Sequence, residues 1–420
     1  MLRAGALLYA VFLVFIISMI SGFMMLSAFH FKRYADDAEI KEGLIRDVHS
    51  ALELELCSAQ PLGADGKKTI DLYDDGVSIV TIDKRTWGLY EIIHATSNRN
   101  FFSFSKTALT GEQMPPDEKT ALFLADHNNY LSLCGKTKIK GTCYLPALGP
   151  RRAYIEGQSF IGNKLVDGEI KTAQNNLPPL NKKIIDDNTA YMNGNVNNKD
   201  SLRLFSDFLR KDSIICSFNE RTLILFAQED IHIDNKIISG NIILRCNGNV
   251  TLLPHARIDN ILIYGQSICV KKGFNGNAQL FAQDSLIIEE DCKLNFPSAV
   301  VLFDKKKDSK KSFIRIDKDS EIFGLVLLYK ETSTQNSRAV LKIETDALVH
   351  GQVYCNDLME HKGTIHGSLF CEKFILSTPS SVYENHLLNA TIDVSELSPY
   401  YTGSSIMNEH KSKNIIKWLN

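Results

Sequence analysis

The sequence predicts a mainly β chain behind one membrane helix, and three observations predict it. Residues 4–29, "AGALLYAVFLVFIISMISGFMMLSAF", carry no charge, and about 20 apolar residues span a bilayer as a helix. Residues 69–96, "TIDLYDDGVSIVTIDKRTWGLYEIIHAT", alternate β-branched and aromatic residues around the turn "DDG", which describes an antiparallel meander. "VHGQVYC" at 349–355 returns as "IHGSLFC" at 365–371, sixteen residues later. The expected order is a transmembrane and amphipathic helix (1–57), a small antiparallel β unit (58–130), a parallel β-solenoid (β-helix) with 16–19-residue coils over 131–376, interrupted by an insertion at 173–211, and a C-terminal cap and tail (377–420).

The helix comes first. A cleaved secretory signal has an apolar core of about 7–15 residues, so the longer stretch at 4–29 predicts an uncleaved, single-pass anchor. Arg3 precedes it while Lys32 and Arg33 follow it, and the positive-inside count leaves the orientation open. Beyond the span, Ile40, Leu44, Val48 and Leu52 recur every four residues, with Ile45 and Leu56 widening the stripe. That spacing continues the helix in amphipathic form to about Leu56.

A long N-terminal helix, apolar in its first half and one-sided in its second, resembles the type IV pilin and pseudopilin plan. The start "RAGALLYAVFLVF" is similar to that of minor pilins, in which a short basic leader ends in glycine. The resemblance implies a prepilin-peptidase cut between Gly5 and Ala6. It also implies a bacterial inner-membrane protein with its bulk outside the cytoplasm and with protein partners in an envelope assembly. The fifth residue after that cut is Ala10, where major pilins carry a glutamate. This departure points away from a bulk filament subunit.

In the β unit, Trp87 and Tyr90 are expected in the core. After it, the repeated phrase recurs as "IKGTCYL" from Ile139, "IEGQSFI" from Ile155, "ISGNIIL" from Ile238 and "IFGLVLL" from Ile322. A second register runs through "LFAQEDIHI", "LRCNGNVTL", "LIYGQSICV" and "LFAQDSLII". It places Ile231, Val250, Ile268 and Leu286 in one column and Ile233, Leu252, Val270 and Ile288 in another. Columns two residues apart are one face of a strand. Repeats of this length built from short strands suit coils that bury their apolar faces only by stacking. The coil period and aliphatic columns resemble those of the bactofilins and, more loosely, the pectate-lyase-type β-helices. The polar stretch at 173–211 is expected as loops with a short helix in "SLRLFSDFLRK", and 381–401 as a cap that covers exposed strand edges.

Function is less legible. The chain has 420 residues, 44% of them hydrophobic and 23% charged, with a net charge of −2. That balance offers no basic stripe for nucleic acid. The basic run "DKKKDSKK" at 304–311 reads as an exposed loop. No phosphate-cradling glycine motif, HExxH or CxxC occurs, and neither cofactor nor metal is expected. Asp230, Asp259 and Asp284 lie on different columns or coils, short of the paired carboxylates that sugar chemistry needs. His350 and His366 share a motif position but lack further ligands for a metal. Cys134 and Cys143 could close a short disulfide loop, whereas Cys355 and Cys371 read as stacked buried thiols. The sequence therefore predicts a non-catalytic envelope protein, structural or adhesive, whose solenoid face meets protein or glycan. A cytoskeletal scaffold and, less favoured, a polysaccharide-processing β-helix are the alternatives.

Overall fold

The computed structural model describes residues 2–58, 66–114, 119–195, 200–305, 312–334, 337–407 and 412–419. It is mainly β, with one long apolar helix at the N-terminus. The basic stretch 306–311 lies outside the described residues. The chain divides into two compact units, Met1–Lys84 with Ile93–Lys106, and Arg85–Ile92 with Thr107–Asn420.

In the first unit, α1 runs through Leu2–Cys57. Residues 5–26 are exposed throughout, and the helix is long and apolar enough to cross a membrane. Its second half behaves differently. Leu44, Val48, Ala51 and Leu52 are buried, and the last three pack on Val80, Ile82, Ile93 and Ala95. Ile45, expected in the stripe, is 43% exposed; Asp47 and Glu55 occupy the buried face instead. Their charges are matched by Arg99 (3.5 Å) and Lys84 (4.0 Å), as burial of a carboxylate demands. Lys67–Asp71 pairs antiparallel with Ile79–Trp87 from Lys67↔Asp83 to Asp71↔Ile79. At the "DDG" turn the Asp75 carboxylate accepts from the amides of Val77 and Ser78. Those bonds hold its pKa below the usual carboxylate range and fix the hairpin.

The second unit is a closed, predominantly parallel β arrangement. Both aliphatic columns appear as expected: Ile231 pairs with Val250, Val250 with Ile268 and Ile268 with Leu286. The column then extends through Ile314, Leu341 and Met359. Its partner column, Ile233 to Ile288, continues through Ile316 and Ile343 and ends at His361. Phrases from three strands stack in register, Ile322↔Val349↔Ile365 and Gly324↔Gly351↔Gly367. All the apolar members named are buried in one continuous core, which is why neighbouring strands repeat the same pattern.

Three expectations fail on register. Ile139 pairs with Ile392, while Ile155 lies in a two-stranded antiparallel hairpin, so "IKGTCYL" and "IEGQSFI" are not successive rungs. Residues 201–211 form no α-helix: Ser201–Leu204 is a strand followed by a single 3-10 turn, Phe205–Phe208. The helix of the insertion is α2, Lys182–Met192, capped by the Asn181 side chain and burying Ile184, Ile185 and Met192. Residues 381–401 also join the ladders rather than cap them, because Thr391 and Ile392 pair with Thr364 and Ile365 on one side and with Lys138 and Ile139 on the other.

That last pairing sets an unexpected stacking order. Leu369–Cys371 pairs with Leu122–Leu124, and Leu122 and Phe123 then pair with Cys143 and Tyr144. The first parallel strands in the chain thus continue the stack beyond its last ones. At the opposite end, beyond the insertion that carries α2, Ser201–Leu204 pairs with Leu223–Ala227.

Candidate functional site

The residues singled out by sequence are dispersed. Gly5 and Ala6 lie in the exposed, apolar part of α1. Cys134 and Cys143 are buried free thiols on two different sheets, the first beside Leu388 and the second beside Leu122. Cys355 and Cys371 stack directly as expected, both free and both with pKa raised by burial. Asp230 is held by Asn249, Asp284 by Gln266 and Asp259 by Asn260 and Lys417. His350 stacks on Phe323 at 4.5 Å and meets His366 at 5.0 Å. Burial and then the His366 charge lower the His350 pKa. Among the described residues no three His, Cys, Asp or Glu side chains gather as a metal site.

A groove in the second unit brings more groups together. Its floor carries Phe370, Phe123 and Tyr144 in register on three successive strands, and the column continues on the next strand into the buried Tyr354. Ring centroids are 6.5, 6.2 and 5.6 Å apart along this column. The last two contacts are stacked, so ring faces meet their rung neighbours. At the end of the column the Lys171 ammonium sits 5.8 Å from the Tyr144 ring centre. Two residues before a ring stand Gln352, Ser368 and Thr142, and on the strand between the last two a register shift sets Thr120 opposite Thr142. Strand alternation puts both columns on the outward side, with Val353, Leu369 and Cys143 between them in the core.

Segments from elsewhere in the unit wall the floor. Glu112, Gly403, Ser404 and Met407 line one part and Glu169, Gln174, Pro178 and Pro179 another, enclosing about 540 Å³. Ser404 N–H donates to Gln352 Oε1 at 3.3 Å, and the Tyr354 hydroxyl donates to Pro178 O at 3.2 Å. Burial pushes that hydroxyl's pKa up. Glu169 and Lys171 are paired at 3.2 Å. Ser368 is 0% exposed, and its Oγ has no hydrogen-bond partner among the described residues.

Sequence reasoning missed this groove although its signal was present. In "VHGQVYC", "IHGSLFC" and "IKGTCYL" the fourth position is Gln, Ser or Thr and the sixth is Tyr, Phe or Tyr. Those two positions are the groove's two columns. Only the stacking order, with residues 120–145 next to 364–371, brings them onto one surface. Compared with protein-family models, curated proteins and solved structures, the chain matches none.

Proposed function

We propose that this chain is a non-catalytic, membrane-anchored envelope protein whose parallel ladders are coils of a β-solenoid, displayed outside the cytoplasm as a structural or adhesive part of a pilus-like or secretion-type assembly. The observation that carries it is the division of α1. Residues 5–26 are exposed and uncharged, whereas Val48, Ala51 and Leu52 pack on antiparallel strands. Half the helix is thus suited to lipid and half is a spine for a small sheet, the plan that the "RAGALLYAVFLVF" start resembles. Paired residues 19, 18, 18 and 16 apart, as in Ile231 to Val250, Val250 to Ile268, Ile268 to Leu286 and Leu348 to Thr364, match the expected coil length, whereas Leu286 to Ile314, Ile314 to Leu341 and Ile322 to Val349 are 28, 27 and 27 apart, longer than the 16–19 expected. The separate hydrogen bonds of Asp230, Asp259 and Asp284 favour a structural role over catalysis.

Intact mass and the N-terminal peptide of protein from its native membranes test this assignment. A start at Ala6, methylated, is the expected result; a start at Met1 removes prepilin-type processing and the assembly that depends on it. One observation favours a scaffold instead. Ser201–Leu204, at one end of the stack, has one strand partner among the described residues and exposes Leu202 and Leu204, leaving an edge able to pair with another chain. Sedimentation of the chain as long filaments without any other component would favour that alternative.

A further inference from the structure

We propose that the groove floored by Phe370, Phe123 and Tyr144 binds a linear, uncharged glycan lying along the stack. The proposal deepens the adhesive role and rests on it for access to ligand, but binding by purified protein is independent of how the N-terminus is processed.

The chemistry of the groove selects the ligand class. Strands in the middle of the floor are paired on both sides, 352–355 with 325–328 and 368–371, and 369–371 also with 122–124. Their backbone N–H and C=O groups are therefore committed, and an extended peptide would find no strand edge here to add to. What remains is side-chain chemistry: aromatic rings in one column and an amide and hydroxyls in the next. A sugar presents apolar C–H groups beside hydroxyls that both donate and accept, which matches that alternation. Gln352 and Thr142 can serve such hydroxyls in either sense. The buried Ser368 Oγ, without a protein partner, is a group whose desolvation a ligand hydroxyl would offset.

Charge and length narrow the class further. The charged lining residues are two carboxylates, Glu112 and Glu169, and one ammonium, Lys171, so a polyanion is disfavoured. Four rungs at a strand spacing near 4.8 Å span about 14 Å, more than one sugar ring, and the groove's 540 Å³ lies in the ordinary range for ligand sites.

The test uses the full chain in a detergent without a sugar headgroup and four probes: a β-1,4-glucose hexamer, a β-1,4-N-acetylglucosamine hexamer, a galacturonic acid hexamer and an uncharged ten-residue peptide. Calorimetry and saturation-transfer NMR read binding. At least one uncharged hexamer is expected to bind with one-to-one stoichiometry, and the acidic hexamer and the peptide at least about tenfold more weakly. Phe370→Ala and Tyr144→Ala should each weaken binding about tenfold, with circular dichroism unchanged. His366→Ala, outside the groove, should leave it as it was. Failure of both uncharged hexamers to bind, equal binding of the acid or the peptide, or full affinity in both ring variants overturns the proposal. A protein that begins at Met1 and still binds would remove the pilin-type assignment and leave the groove intact.

Discussion

Gly351 and Gly367 sit one directly above the other on adjacent strands, so closely that a Cβ on Gly367 would lie 1.8 Å from the Gly351 carbonyl oxygen. Gly351 bears the same relation to Gly324, at 1.9 Å, and all three have positive φ, between 143° and 153°. No L side chain fits that conformation or that space. The repeated "IFG", "VHG" and "IHG" thus mark one corner of the stack at which successive strands turn over each other's backbone.

Gly367→Ala should therefore be costly: strain at positive φ and a backbone clash together remove about 3 kcal/mol. Gly43→Ala makes the contrast. Gly43 is helical, and the nearest atom to its added Cβ is Arg99 Nη1 at 3.5 Å, so that change should stabilise by up to about 1 kcal/mol. Urea unfolding of both variants checks the pair; a Gly367→Ala midpoint equal to that of the unaltered protein would contradict the corner's role.

The columns Ile231 to Leu286 and Ile233 to Ile288 were legible because inward side chains repeat with the strand period whatever lies outside. The order of the strands was not. Periodicity says that residues 139–145 resemble residues 365–371; it does not say that residues 120–124 lie between them, since that depends on which strand edge a long connection reaches. The same blindness made Ile139 and Ile155 look like neighbours and turned Thr391 and Ile392, an inner rung, into a cap. "SLRLFSDFLRK" misled for another reason. Its apolar residues fit a helix as well as a strand followed by a turn, and pairing of Ser201–Leu204 with Leu223–Ala227 decided the outcome. The groove was hidden because its walls, around residues 112, 178 and 404, come from segments with no repeat.

Lys330 and Asp304 are rung neighbours with both side chains 0% exposed, Nζ to Oδ2 2.5 Å, and Ser312 Oγ donates to the same oxygen. Removing one partner leaves a buried charge, so Lys330→Met should cost about 4 kcal/mol. Removing both should restore most of it, because a well-packed apolar pair avoids the desolvation that the ion pair must overcome. A Lys330→Met/Asp304→Leu variant as unstable as the single variant, in denaturant melts, would mean that the groups around the pair, Ser312 among them, carry much of the energy.

Thiol accessibility offers a direct check on the core. All nine cysteines are free; Cys57 is exposed, Cys269 half-buried and the other seven buried. Burial raises the pKa of Cys292 to about 11 and of Cys143 and Cys355 to about 12, which removes the reactive thiolate at neutral pH. N-ethylmaleimide at pH 7 should label Cys57 in the native protein first and Cys269 more slowly, with the other seven reacting only after denaturation. Peptide mapping by mass spectrometry reads the order, and rapid native labelling of Cys355 or Cys371 would mean the ladder is open.

His361 closes the column Ile288–Ile316–Ile343 with an imidazole in place of an aliphatic side chain. Its Nε2 faces the Thr391 carbonyl at 3.2 Å, so Nε2 carries the proton and donates, while Nδ1 is buried without a partner among the described residues. Burial lowers its pKa from 6.5 to about 4. The folded state therefore holds this ring neutral where the unfolded chain takes up a proton. Stability from this residue is complete above about pH 6.5 and falls as the pH drops toward 4, by about 2 kcal/mol at pH 5. His350, also lowered, acts in the same direction. Carboxylates with lowered pKa, such as Asp393, act mostly below this window. Unfolding midpoints at pH 7 and pH 5 should differ clearly in the unaltered protein and much less in His361→Leu, which loses the titrating ring along with its bond to Thr391. An equal pH dependence in the two proteins would mean that His361 is reached by solvent or by an acid that shares its proton.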